Sequence, residues 1–231
     1  MQNLEASLQE IQETLKAEPE STDSPLPPSC AICFLVERSV VSYLTFLFAE
    51  FVNDIELRLK FRQARGFCRL HTQAVRTRGD ALGIAILYSD LADLTITQWR
   101  DHPPTKPSLL SFPKRNRSTS PELPCPACSI EAEANSRYLR ALAQGLERVE
   151  VREAIKNEPR FCMAHFEEMM RVSKPEIAQF VHSIALQHLE NLNAELAEFI
   201  RKNDYRFRGE DWGSERDSWQ RALNYLTRPP E

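Results

Sequence analysis

Glycine is scarce in this chain, with 6 residues in 231. Few glycines and long stretches between helix breakers favour helices over a hairpin-rich sheet. Neither sign of charge dominates. A formal net charge of −4 gives no global attraction for nucleic acid or an anionic membrane, so a nucleic-acid partner rests on local patches alone and is not favoured. No secretory signal is read, because Met1 to Glu20 lack a basic start and an unbroken apolar core. Long hydrophobic runs are missing too. The most apolar stretch, Val40 to Val52, is interrupted by Glu50 and followed by Asp54; it reads as a buried helix, too short to span a bilayer. No membrane is expected as a partner, and a cytoplasmic location is. There thiols stay reduced, and grouped cysteines point to metal or redox chemistry before disulfides. The sequence also lacks a His-Glu-x-x-His motif, a glycine-rich phosphate loop and a nucleophile elbow. No catalytic residue is assigned, and the reading leans away from an enzyme.

What is present is helical pattern punctuated by proline. Leu4, Leu8, Ile11 and Leu15 recur at helical spacing and predict a short amphipathic helix, followed by a linker rich in Pro, Ser and acid, so that 1–28 stands apart. A helix is predicted from about Phe34 to Arg62, another from Cys68, and a third capped by Asp80 or Thr77 and running to about Trp99, with Leu82, Leu87, Leu91 and Leu94 on its apolar side. Residues 102–123 form a Pro-rich linker holding His102 and the basic cluster Lys114, Arg115 and Arg117. The pattern then restarts: a helix from Ile130 to about Lys156, a short one from Cys162, and a long one to about Asn203. The last is introduced by a capping-box signature, Ser173 with Glu176, and carries an apolar stripe that includes Ile177, Val181, Ile184, Leu192 and Phe199. The tail, 204–231, is dense in aromatics and arginine. It reads as folding back through Trp212 and Trp219, ahead of an interaction surface, with Ser214 capping a last helix.

The restart is a repeat. Cys30 and Cys33 match Cys125 and Cys128 at an offset of 95, and Cys68 and His71 match Cys162 and His165 at 94. Tyr43 and Tyr138 each lie ten residues after the second Cys, and Phe67 and Phe161 each precede the third. The fold expected is all-α, two tandem helical repeats over 29–101 and 124–203, each with a Cys3His metal site. Such pairs often pack about a pseudo-twofold axis.

All 6 cysteines fall inside these motifs, spaced C-x2-C-x34-C-x2-H and then C-x2-C-x33-C-x2-H. Two residues between ligands let both side chains converge on one ion from a turn or the first turn of a helix. Three thiolates and an imidazole complete a tetrahedron suited to Zn2+, and a helix N-terminus stabilises thiolate. Two Zn2+ ions are therefore expected; an iron–sulfur cluster is the alternative, and with it a role as electron carrier or redox sensor. The simpler assignment gives Cys30, Cys33, Cys68 and His71 one ion and Cys125, Cys128, Cys162 and His165 the other. Pairing the Cys-x-x-Cys of one repeat with the Cys-x-x-His of the other stays open. Arg65, Arg69 and Arg160 flank the third Cys and are candidates to offset the charge of the centre. His188 reads as a satisfied core histidine and His182 as a surface one.

Cys-Pro-Ala-Cys at 125–128, Gly-Phe-Cys-Arg-Leu-His at 66–71 and the tail Tyr-Arg-Phe-Arg-Gly-Glu through Ser-Trp-Gln-Arg-Ala resemble an uncharacterised bacterial family with paired Cys-Pro-x-Cys and Gly-Phe-Cys-x-x-His motifs. The chain departs from that pattern at Ala31 and Arg160, where the family tends to have Pro and Gly. The resemblance implies a bacterial source and brings no activity. The function expected is a metal-binding interaction or regulatory module with a protein partner; nucleic-acid regulation is the more distant alternative.

Overall fold

A computed structural model describes residues 2–16, 30–78, 80–101, 123–157, 160–207 and 209–226. Most of both linkers, with His102, Lys114, Arg115 and Arg117, lies outside the described residues. Among the described residues there is no strand. The α-helices are α1 (Gln2–Lys16), α2 (Ala31–Phe46), α3 (Ile55–Gln63), α4 (Arg69–Arg78), α5 (Ala81–Asp101), α6 (Pro126–Gly145), α7 (Val149–Asn157), α8 (Met163–Val172), α9 (Pro175–Lys202) and α10 (Ser218–Leu226).

The chain divides into two compact units. One comprises Met1–Val36 with Ala134–Glu231, and the other Glu37–Glu133. These are not the consecutive stretches 29–101 and 124–203 that the sequence marks as repeats. Helix α2 gives its first residues to the first unit and the rest to the second, and α6 does the reverse.

The first unit has its own core. Ile32, Leu35, Tyr138, Leu142, Phe161, Phe166, Val181 and Leu192 are buried in it. The amphipathic pattern of α1 is spent there, since Leu8, Ile11 and Leu15 are all buried in the same cluster. Leu8 lies so close to Gly145 that a Cβ at Gly145 would stand 2.5 Å from it. The buried Tyr138 hydroxyl donates to Glu10 at 2.8 Å. In α9 the expected stripe holds for Ile177, Val181, Ile184 and Leu192, while Phe199 is half-buried under the ring of Trp212, 5.3 Å away. His188 is half-buried against Tyr225, and His182 is exposed, as expected.

The second unit packs Val40, Leu44, Leu47, Phe61, Phe67, Val75, Leu87 and Ala127 together. Phe61 is the hub, with Phe67 and Tyr88 edge-on at 5.2 and 5.4 Å. Leu87 is fully buried, but Leu82 is 69% exposed and leaves the expected apolar side of α5.

Several boundaries differ from the sequence reading. The helix expected from Phe34 to Arg62 is broken. Past Phe46 it continues as a π-helical turn, Leu47–Phe51, and Asp54 then caps α3 by accepting from the Leu57 amide at 2.8 Å. The continuous helical stretch Ala31–Phe51 is 21 residues long and holds an 18-residue window of mean hydropathy 1.6, so it is by length and composition apolar enough to cross a bilayer, although Val40–Val52 alone is too short. Its apolar residues also supply both cores. The helix expected over Ile130–Lys156 breaks after Gly145. Asp80 caps α5 as expected, accepting from the Gly83 amide at 2.7 Å. The capping box does not form, because Lys174 is the N-cap residue of α9 and Pro175 takes its first position.

The tail folds back on α9, although not through Trp219, which is 46% exposed. Its anchor is Glu215, which is buried. One carboxylate oxygen accepts from the Gly213 amide at 2.8 Å and from Lys202 Nζ at 2.7 Å. The Gly213 amide, and after it Lys202, pulls the Glu215 pKa down to about 2. A depressed carboxylate stabilises the fold above its unfolded pKa and loses that contribution as pH falls through the folded value. Glu215→Gln should therefore lower Tm relative to the parent above pH 5, and the gap should narrow steadily between about pH 4.5 and pH 2. Parallel thermal melts of the two proteins across that range check this.

Candidate metal centres

Every ligand pair starts a helix. Cys30, Cys68, Cys125 and Cys162 are the residues immediately before α2, α4, α6 and α8. Their carbonyls accept from the amides of Phe34, Thr72, Ser129 and Phe166, all between 2.9 and 3.1 Å. In each case the second ligand, Cys33, His71, Cys128 or His165, lies three residues on, in the first turn. An i, i+3 pair shares one helix face. Its sulfurs sit where unpaired amides and the helix dipole favour negative charge.

The two starts that meet are not those of one repeat. Cys30, Cys33, Cys162 and His165 form one group, and Cys68, His71, Cys125 and Cys128 the other, with the donor atoms of each within 4.8 Å of one another. All eight sequence-assigned residues fall in these two groups, and the grouping is the crossed one, not the within-repeat one. Packing decides it. Ile32 and Leu35 of α2 are buried in the same core as Phe161 and Phe166, and Ala127 of α6 in the same core as Phe67. The Ala31 amide also donates to the Arg160 carbonyl at 2.9 Å, tying the two starts in the first unit together.

The first quartet, in the first unit, places Cys33 Sγ 3.8 Å from Cys162 Sγ, with His165 Nδ1 at 3.2, 3.3 and 3.2 Å from the sulfurs of Cys30, Cys33 and Cys162. The second, in the second unit, places Cys68 Sγ 3.7 Å from Cys128 Sγ, with His71 Nδ1 at 3.2, 3.7 and 3.3 Å from Cys68, Cys125 and Cys128. A tetrahedral zinc with bonds of about 2.3 Å to sulfur and 2.05 Å to nitrogen spans edges of about 3.8 Å (S···S) and about 3.6 Å (S···N). The Cys33–Cys162 and Cys68–Cys128 edges match, and the nitrogen edges fall within a few tenths of an ångström. All six cysteines are free.

As bare side chains the donors compete for charge. In the first quartet, hydrogen bonds from Cys30 and Cys33 drive the Cys162 pKa far down, while contact with Cys162 drives that of Cys33 far up. Burial opposes charge on His165, but the sulfurs of Cys162 and Cys30 outweigh it and raise its pKa to about 10. In the second, burial and then Cys68 push Cys128 up to about 12; Cys68 goes down, because amide and thiol donors outweigh its desolvation. Three sulfurs this close hold their negative charge together only around a cation. The donor set therefore fits a bound metal ion.

The surroundings of the two histidines differ. His165 Nε2 lies 2.9 Å from Asn135 Oδ1, and Asn135 Nδ2 donates to Glu168 at 2.9 Å, which fixes the amide. His71 Nε2 instead faces the Glu131 carboxylate at 3.5 Å. With Nδ1 on an ion, Nε2 carries the proton and needs an acceptor. Neither partner was read from the sequence. Glu131 lies three residues after Cys128 on the same helix face, so a signal existed; Asn135 has no local relation to His165. Arg160, a candidate to offset charge at the centre, sends its guanidinium to the Thr14 and Leu15 carbonyls at the end of α1, at 3.2 and 3.4 Å. Gly66, its counterpart at the other Phe-Cys, has φ 89° and closes α3 with its amide on the Phe61 carbonyl. Asn135→Ala should weaken metal binding at the first centre by roughly 10–100-fold and leave the second unchanged, as read by competition with a chromophoric chelator.

No solved structure matches the chain. It is 25% identical over 179 residues, 77% of its length and 83% of the relative's, to an uncharacterised 23.9 kDa protein in the xynA 3′ region of Caldicellulosiruptor sp. (strain Rt8B.4). A family model matches residues 27–230, which leaves α1 outside it. The chain belongs to that family, described as a family of unknown function, DUF6062.

Proposed function

We propose that this chain is a zinc-binding helical module whose two mononuclear Cys3His centres hold its helix starts together and so present a surface to a protein partner. The observation that carries the reading is the size of the quartets. The Cys33–Cys162 and Cys68–Cys128 sulfur–sulfur edges of 3.8 and 3.7 Å fit one ion's tetrahedron. A cluster distributes its ligands over several irons, so donors gathered within 4.8 Å favour one ion over iron–sulfur. Four protein donors fill a tetrahedral ion and leave no position for water, the arrangement of structural zinc. Each centre lies inside one compact unit, so binding free energy there is folding free energy for that unit.

The partner reading rests on α5. Tyr88, Leu91, Ile96 and Trp99 line a shallow cleft of about 330 Å3, and Trp99 is 75% exposed. An exposed tryptophan beside aliphatic side chains is a common anchor for protein recognition.

Freshly purified protein should be colourless and hold two zinc ions per chain, and stripping both should lower Tm by roughly 10 °C or more, at about 2–4 °C per kcal/mol. Elemental analysis, an absorption spectrum and melts with and without a strong chelator test this. A brown protein containing iron and sulfide, or an unchanged Tm after complete stripping, would contradict it.

A further inference from the structure

We propose that the two centres are unequal, and that Cys33 makes the first a peroxide-responsive site that releases its ion while the second keeps its own. The inference rests on the zinc reading above. Two separate observations carry it.

The first is access. Cys33 is exposed, whereas no ligand of the second quartet is: His71 and Cys125 are buried, and Cys68 and Cys128 are half-buried. Cys33 is thus the cysteine ligand most open to a small solute arriving from water. The second is the histidine's support. His165 is held by a neutral amide, Asn135, and His71 faces a carboxylate, Glu131. Asn135 offers a 2.9 Å hydrogen bond without charge, whereas Glu131, 3.5 Å away, acts through its negative charge; that charge favours a cation on the His71 ring, so the second centre is the firmer on this count as well.

The reactant class is a hydroperoxide. The Cys33 thiolate attacks one peroxide oxygen. The O–O bond breaks, the sulfur gives up two electrons and becomes a sulfenic acid, and the other oxygen leaves as water or an alcohol with a proton from solvent. The Cys162 thiolate, 3.8 Å away, then attacks that sulfur. An S–S bond forms, the S–O bond breaks, and hydroxide leaves as water with a second proton. The sulfurs need to close to about 2.05 Å, which draws both off the ion. Cys30 and His165 alone do not hold zinc against solvent. Their helix starts, α2 and α8, lose the link between them, and a thiol reductant with zinc restores it.

The test uses the full chain loaded with zinc. Hydrogen peroxide is added near stoichiometry beside a chromophoric zinc chelator, and the products are mapped by peptide mass spectrometry. One zinc ion should leave roughly tenfold faster than the other, with a Cys33–Cys162 bond formed and Cys68, Cys125 and Cys128 still thiols. Cys33→His keeps a ligand but removes the thiol, so a variant that still binds two ions should release both at the slow rate. Two ions lost at one rate, or a disulfide first among Cys68, Cys125 and Cys128, would overturn the inequality while leaving the zinc reading intact. A Cys30–Cys33 bond would overturn the role given to Cys162. Protein that holds no zinc before peroxide is added would sink both readings.

Discussion

Four helix starts converging two by two set the arrangement of this protein. At each start a cysteine precedes the first helical residue and a second donor follows three positions later. Negative sulfur is favoured there by the amides and the dipole. The same negative charge forbids two such starts from meeting unless something positive lies between them. Either quartet could hold a metal ion, and in the zinc reading proposed above a divalent ion meets both requirements. The flanking aromatics follow suit. Phe67 and Phe161, each just before a candidate ligand, are buried edge-on against Phe61 and Phe166, so core packing fixes the donor pairs in place.

That geometry explains why the ligands were legible in the sequence and their pairing was not. The i, i+3 spacing is local, and it marks a donor pair wherever a helix begins. The all-helical character was legible for a similar reason, since scarce glycine and periodic leucines are local signals. Pairing depends on which cores bury Ile32, Leu35 and Ala127, and intervals of 34 and 33 residues between ligand pairs are equally compatible with either choice. Position Asn53–Asp54 shows the limit for boundaries. The helix predicted from Phe34 to Arg62 runs straight through it, yet Asp54 carries the cap that restarts the helix. At Ser173–Glu176 the competing signal won: Pro175 belongs in the first helical position, which makes Lys174 the cap. Asn135 was illegible because only tertiary packing brings α6 to His165.

The two quartets share a donor set and differ around it. One histidine is supported by an amide that is itself fixed by Glu168, the other faces a carboxylate, and Cys33 is exposed while the cysteines of the second quartet are buried or half-buried. A chain that needed two identical staples has no physical reason to build them so differently. The C-terminal clamp of Lys202 on Glu215, and α1 docked through Leu8, Ile11 and Leu15, concentrate further structure on the unit with the more open centre.

Zinc content of paired serine variants tests the crossed arrangement most directly. If the quartets are as described, Cys30→Ser with Cys162→Ser disables one centre and the purified double variant retains one zinc ion, while Cys30→Ser with Cys68→Ser disables both and retains none. Ligands gathered within each repeat would give the reverse, with one ion kept by the Cys30, Cys68 pair and none by the Cys30, Cys162 pair.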